Sequence, residues 1–172
     1  MVDAQSVKAS ANVAETSQGI SAGKKSEGLK RHLMTDSLGL VLAVLVTAAN
    51  VHDTIGGKHL LDDLAAEHPS LTKVWADGGY QSSILNHGAE LGIDVEVVQR
   101  TRAKGFEPLP KRWVIERTSG WLMQHHRLAR DYTALPQRSG TMIHWAMANK
   151  ISRELTGEST PGESKRTCRS QR

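Results

Sequence analysis

Two apolar runs stand back to back in the first third of the chain: LKRHLMTD at 29–36 and GLVLAVLVTAA at 39–49, parted by Ser37, Leu38 and a glycine. So short a connection leaves no room for a crossover, and the Val-rich second run favours extended backbone. The pair therefore reads as a tight antiparallel hairpin, around which everything else must be arranged. Ahead of it, VDAQSVK (2–8) alternates Val2, Ala4 and Ser6 against Asp3, Gln5 and Val7 and reads as a short strand. Residues 9–28, rich in Ser, Ala, Gly and Lys without an apolar period, read as a loop. Beyond the hairpin, Ile55, Leu60, Leu61 and Leu64 fall at helical spacing over 55–67, with Asp53 and Thr54 as N-cap candidates and His68-Pro69 as the stop. TKVWAD (72–77) then reads as a strand, SSILNHGAEL (82–91) as a helix and IDVEVV (93–98) as a strand. A polar loop carrying Gly105, Pro108 and Pro110 leads into a long helix from Arg112 to Leu128, with Pro110 where proline is tolerated just ahead of a helix. A last helix over 137–155 holds Met142, Ile143, Trp145, Ala146, Ile151 and Leu155. Three antiparallel strands followed by alternating helix and strand predict one α/β domain with a mixed sheet over residues 1–155. Residues 156–172, polar and charged, read as a disordered basic tail.

A length of 172 residues suits a single domain with a core of useful size. Lys and Arg number 22 against 18 Asp and Glu, and the clustering says more than the excess. Basic residues gather at Lys24-Lys25, Lys30-Arg31, Arg100 to Lys104, Lys111-Arg112, Arg127 to Arg130 and Lys165 to Arg172, a distribution that fits an anionic partner. Cys168 is the single cysteine, so an internal disulfide and a thiolate metal cage are excluded and a reducing, cytoplasmic setting is expected. MVDAQSVKAS lacks the shape of a signal peptide, and the longest apolar run, Leu38 to Ala49, is too short to span a bilayer; no membrane partner is expected.

In WADGGYQSS (75–83), Asp77 closes a strand ahead of a Gly-Gly turn. Alone it reads as turn punctuation, since Asp and Gly are ordinary turn formers. In an open α/β sheet, however, functional groups gather at the carboxyl ends of strands. Two carboxylates could join Asp77 there: Asp3, on a first strand expected to be central and adjacent, and Glu116, in KRWVIERTSGWL. Arg112, Glu116 and Gly120 share one helix face at i, i+4 spacing. A glutamate flanked by Arg112 and Arg117 also reads as a surface ion pair. His125 and His126, adjacent on a helix, face different ways and make no joint metal site. Trp75, Trp113, Trp121 and Trp145 read as core anchors, and Tyr80 as exposed beside the turn.

The strand and helix order is that of ribonuclease H-like domains. VDAQSVK (2–8), GLKRHLMTDSLGLVLAVLVTAANVHD (28–53), VWADGGYQ (74–81) and RWVIERTSGWLMQHHRLARDY (112–132) resemble, in this order, the DDE transposases of bacterial insertion sequences. The resemblance is to the IS five type within the IS four-like group and runs from residue 2 to about 155. It implies a ribonuclease H-like α/β fold and metal-dependent DNA strand cleavage and strand transfer. Asp3, Asp77 and Glu116 are the implied catalytic and metal-holding residues, with Asp3 shared between two Mg²⁺ ions, for which Mn²⁺ may substitute. Three carboxylates suit Mg²⁺, a hard cation that prefers oxygen. Arg112 matches the arginine of the family's YREK-like signature. With Lys30, Arg31, Arg117, Arg127 and Arg130 it is expected to contact DNA phosphates. Asp36 and Asp53 fall in matching segments without being expected to bind metal. Gln124 and His126 stand where the family usually carries arginine, which lowers the positive charge of that helix. The Gly78-Gly79 turn is expected to keep backbone bulk away from metal and phosphate.

Implied partners are insertion-sequence ends, target DNA, and a second copy or the product of an upstream frame, in the cytoplasm or on the nucleoid. Family members carry a helical, end-binding region ahead of the first catalytic strand, whereas Met1 and Val2 alone precede Asp3 here. End recognition is therefore expected to lie outside this chain, and the first strand to lack ladder bonds at its start. A second reading follows from the same observation: a non-catalytic remnant that binds DNA or intact transposase.

Overall fold

A computed structural model of the chain describes residues 1–21, 27–80, 82–98 and 112–158. The strands are β1 (Val2–Lys8), β2 (Gly19–Ile20), β3 (Glu27–Thr35), β4 (Val41–Ala48), β5 (Lys73–Asp77) and β6 (Asp94–Val98). The helices are α1 (Asp53–Glu67), α2 (Ser83–Glu90), α3 (Arg112–Gln124), α4 (His126–Ala129) and α5 (Pro136–Thr156). The expected hairpin forms as β3 and β4, turned by Asp36, whose Oδ1 accepts from the backbone N–H of Leu38 and Leu40. Across the sheet the strands run β4, β3, β1, β5, β6, with the short β2 also on β3. The first three pair antiparallel, and β1, β5 and β6 pair parallel. This mixed α/β sheet is consistent with the ribonuclease H-like fold.

β1 is central, and its side chains alternate between two layers. Val2 packs with Leu60, Leu61 and Leu64 of α1, Val74 and Ala76 of β5 and Ile84 of α2. On the opposite face Leu29 and Leu33 of β3 pack with Ile115 and Leu122 of α3 and Ile143 of α5. The ladder between β1 and β3 is continuous from Val2↔Met34 to Lys8↔Gly28, and the N–H of Thr35 donates to the Met1 carbonyl at 2.9 Å. The start of β1 is therefore held on its β3 side, contrary to the expected loss of ladder bonds there. Toward β5 the register has one pair, Val2↔Ala76.

Close approach of two backbones fixes Gly28. A β-carbon there would run into the carbonyl oxygen of Val7 and lie 3.0 Å from the backbone of Lys8 and Ala9, none of which is a movable side-chain end. Gly28→Ala is expected to cost about 1–3 kcal/mol by forcing β1 and β3 apart. A urea midpoint equal to that of the wild type would refute this.

Several expectations need correction. The first loop is not featureless: residues 15–17 form a 3₁₀ turn, β2 follows, and β3 begins at Glu27. The α1 cap is neither Asp53 nor Thr54 but His52, whose Nδ1 accepts from the Thr54 N–H at 3.2 Å. The helix expected to run to Leu128 breaks at His125, which adopts extended backbone. That break lets Leu128 turn inward, 2 % exposed, and frees its carbonyl to accept from Arg31. Two of the four tryptophans are not core anchors. Trp145 is 71 % exposed because the buried stripe of α5 runs through Ile143, Ala146, Met147 and Lys150, which it misses. Trp113 is half exposed and forms a sandwich with Trp121 around the Arg117 guanidinium, 4.4 and 4.7 Å from the two rings. Gly105, Pro108 and Pro110 and tail residues 159–172 lie outside the described residues. Among the described residues no helix is long and apolar enough to cross a membrane.

Candidate active site

Register builds the site. Val2 lies opposite Ala76, so the next residues along the two parallel strands, Asp3 and Asp77, stand side by side at the carboxyl end of β5. Asp77 is fixed by its own turn: its Oδ1 accepts from the Gly78 N–H at 2.8 Å, and its carbonyl accepts from the Tyr80 N–H at 3.0 Å. Gly78 and Gly79 have no heavy atom closer than 3.7 Å to where a β-carbon would sit.

Arg112, the first residue of α3, connects this pair to the third carboxylate. Its Nη1 donates to Asp77 Oδ1 at 3.1 Å, and its Nε lies 2.9 Å from Glu116 Oε1 across the i, i+4 spacing. The structure thus brings Asp3 and Asp77 together directly and joins Glu116 to Asp77 through a guanidinium. Among the described residues no three Asp, Glu, His or Cys side chains are drawn tightly enough to enclose a metal ion in this arrangement. The donor chemistry nonetheless suits a hard divalent cation. The site consists of carboxylate oxygens on strands and a helix, the Glu116 side chain is 57 % exposed, and a positive group already bridges two of the three.

Asp3 is a buried acid beside a second carboxylate. Burial, chiefly, and then the Asp77 and Asp53 carboxylates push its pKa up to about 6, against the pull of the Ala4 N–H and Arg112. The folded state therefore holds this proton more tightly than the unfolded chain does. The stabilisation is full below the ordinary value of 3.8 and is lost as pH rises through 6. Asp3→Asn is expected to raise stability at pH 7.5 without divalent metal by about 1–3 kcal/mol, a gain that disappears near pH 4. The difference between variant and wild type is the quantity to measure across pH, because buried His32 acts in the opposite sense. Its pKa, lowered from 6.5 to about 4 mainly by burial, makes stability fall as pH drops through that window.

The remaining candidates divide. Arg31, expected on DNA, is fully buried: its guanidinium donates to the Leu128 carbonyl at 2.6 Å and to Asp131 at 3.3 Å. It belongs to the core, since an inward position on the central β3 offers no route to solvent. Lys30 is also turned inward, its ammonium 2.7 Å from Asp53 and 2.6 Å from the Val51 carbonyl. Arg117 donates to the Leu38 carbonyl at 2.6 Å between its two tryptophans. Arg127 and Arg130 lie exposed along and just after α4. His126 stacks on Tyr132.

Two neighbours of the site escaped sequence reasoning. Tyr80 is buried, 5 % exposed, rather than exposed, because Gly57 of α1 leaves room for its ring against Ile84. Asp53, released from capping by His52, aims at the site, with its Oδ2 3.8 Å from where a Gly79 β-carbon would lie. The signal was the pair Gly56-Gly57 inside a helix. Two glycines there weaken the helix and imply something pressing against it, here His32 and Tyr80.

Comparison with known proteins adds to this geometry. The family model described as "Transposase DDE domain" matches residues 1–148. A protein of Burkholderia cepacia, provisionally named as the transposase for insertion sequence element IS402, is 35% identical over 109 residues. The match covers 59% of this chain and 52% of that protein, so the chain spans about half the length of this curated relative. No solved structure matches it.

Proposed function

Because this chain belongs to the transposase DDE domain family, we propose that it is the catalytic domain of an insertion-sequence transposase, cutting DNA strands and joining them to a target with Mg²⁺ or Mn²⁺. The observation that carries this reading is Asp3 beside Asp77 on neighbouring strands, with Arg112 tying Glu116 to the pair. Asp3, Asp77 and Glu116 are the residues that would hold the cation, which would supply activation of the attacking oxygen and stabilisation of charge on the departing one. Hydrolysis frees a 3′-hydroxyl, and that hydroxyl then exchanges one phosphodiester for another in the target, so the joining step needs no energy source.

The chain's own residues do the rest. β1 and β5 fix two carboxylates relative to each other, the Gly78-Gly79 turn lets a phosphate approach the backbone, and Arg112 keeps Glu116 on the same side as Asp77. Arg127 and Arg130 offer exposed positive charge to the DNA backbone. The catalytic unit is residues 1–155, followed by a basic tail. It works in the cytoplasm on insertion-sequence ends and target DNA, as a pair of copies or beside a separate end-binding partner.

The test is an assay of nicked and joined products on DNA carrying the element's ends, with Mn²⁺ or Mg²⁺, comparing wild type with Asp77→Asn. If the two are equally active, or both inactive while still retaining DNA, the non-catalytic reading replaces this one.

A further inference from the structure

Trp145 stands on the surface, 71 % exposed, with no ring or cation against it among the described residues. The other two tryptophans of this region are engaged. Trp113 and Trp121 enclose the Arg117 guanidinium, and the Lys150 ammonium lies 3.7 Å from the Trp121 ring centre. Trp145 instead borders a groove of about 590 Å³ between α4 and α5. The break at His125 makes this groove. It turns Leu128 into the core, so that buried Leu128 and Ala146 form the floor, while Arg127 of α4 and Trp145 of α5 rise from it. Among the described residues no aspartate or glutamate lines it. A large apolar ring held out in water beside a groove is an unspent contact.

The charge around the groove is one-sided. Between Glu116 and Glu154 the sequence holds six Lys and Arg and three His against one acidic residue, Asp131. Asp131 is 1 % exposed and already pairs with Arg31, so it offers nothing to that surface. Arg127, Arg130 and Arg138 are exposed, and the His126 ring stacks on Tyr132, itself 41 % exposed. Arg127, Leu128 and Met142 line both the groove and a smaller hollow beside Tyr132, so Trp145 and Tyr132 belong to one basic surface. A second copy meeting it face to face would bring like charges together, which disfavours that occupant. Cations interleaved with exposed aromatics suit a polyanion that carries flat rings: the cations follow its phosphates and the aromatic faces stack its bases. Paired bases stack on one another and show only their edges in the grooves, so an indole face stacks on a base outside a duplex.

We propose that the groove between α4 and α5 binds single-stranded DNA, with Trp145 stacking on an unpaired base and Arg127 and Arg130 holding the phosphates beside it. This site rests on the reading of the chain as a DNA-cutting domain, since a cut leaves strand ends free to unpair. Helix α3 separates the groove from the carboxylates. From Glu116 to Gln124 it spans about 12 Å at about 1.5 Å per residue, the length of about three or four nucleotides.

The experiment measures binding of the full chain, without divalent metal, to three fluorescently labelled probes. They are a thymidine oligomer of about twelve nucleotides, its duplex with the complementary strand, and an abasic oligomer of the same length. Wild type is expected to hold the thymidine oligomer about tenfold or more tightly than the abasic one. Trp145→Ala is expected to bind the thymidine oligomer about ten- to a hundredfold more weakly, with duplex binding, abasic binding and melting temperature unchanged. Trp145→Tyr, which keeps an aromatic face, is expected to recover most of that loss. Arg127→Ala is expected to weaken both single strands alike and to make their salt dependence shallower. A wild type that binds none of the three probes would sink the DNA-cutting reading itself. Thymidine and abasic oligomers bound equally, a Trp145→Ala affinity within about twofold of wild type, or an equal loss on the duplex would overturn the single-strand site and leave that reading standing. A wild-type dimer that falls apart in Trp145→Ala while oligomer binding is unchanged would also overturn it, by making a second copy the occupant.

Discussion

Asp77→Asn is expected to lower metal-dependent DNA cleavage by about a thousandfold or more while leaving the fold intact. Asparagine keeps the shape of the side chain and an Oδ1 able to accept from Gly78 and Arg112, the two bonds that position Asp77. What it removes is one negative charge at the point where we propose that a cation is held. A cation stabilising the reacting oxygens supplies several kcal/mol, and each 1.4 kcal/mol is about a factor of ten in rate. Loss of that charge also relieves Asp3, whose acidity is already weakened by the Asp77 carboxylate. The variant should therefore melt no lower than wild type, and an activity deficit cannot be put down to unfolding. Cleavage within about threefold of wild type would refute the assignment, since a factor of three is less than 1 kcal/mol.

Most of the scaffold behind this prediction was legible in the sequence. The hairpin showed in the length of its turn and its β-branched runs, and the mixed sheet followed from strands alternating with helices. Asp3, Asp77 and Glu116 stood out through their positions in segments that resemble one family. The charges were harder to read. Lys30 and Arg31 are adjacent in a basic cluster, but a strand sends neighbours to opposite faces. Lys30 went to Asp53 on one side and Arg31 to Asp131 on the other, and neither partner is near in sequence. Burial of an arginine depends on what the far end of the chain brings to it, and local pattern carries no trace of that. Tyr80 and Asp53 were missed for a related reason, because their places depend on how α1 packs on the turn after β5. Trp145 misled because a tryptophan's size predicts burial only where the helix stripe agrees.

Asp131→Ala is expected to destabilise the protein by about 3–5 kcal/mol, the usual cost of leaving one member of a buried ion pair alone. In a chain of this size that corresponds to a fall in melting temperature of about 10 °C. Asp131 is 1 % exposed and accepts from the Arg31 guanidinium at 3.3 Å, from the Thr133 N–H at 3.1 Å and hydroxyl at 2.5 Å, and from the Ser139 hydroxyl. Burial alone would raise its pKa, but the bonds from Ser139 and Thr133 and the Arg31 charge outweigh it and hold the carboxyl below its ordinary value. Its contribution is thus present above the ordinary carboxylate range and lost as pH falls through the lowered one. The same residue's backbone stitches the segment after α4 to the end of β1: its N–H donates to the Lys8 carbonyl at 3.0 Å, and its carbonyl accepts from Ser10 at 2.7 Å. Alanine keeps those backbone bonds but strands the Arg31 cation on the Leu128 carbonyl. Replacing both partners by leucine should recover much of the loss, because no buried charge then remains. This pair of variants also separates core from DNA roles for Arg31. A core residue predicts that Arg31→Leu with Asp131→Leu holds DNA as wild type does, whereas a phosphate contact predicts weaker binding with a shallower salt dependence. An Asp131→Ala protein melting with the wild type would mean that Arg31 reaches solvent, and the buried pair would have to be abandoned.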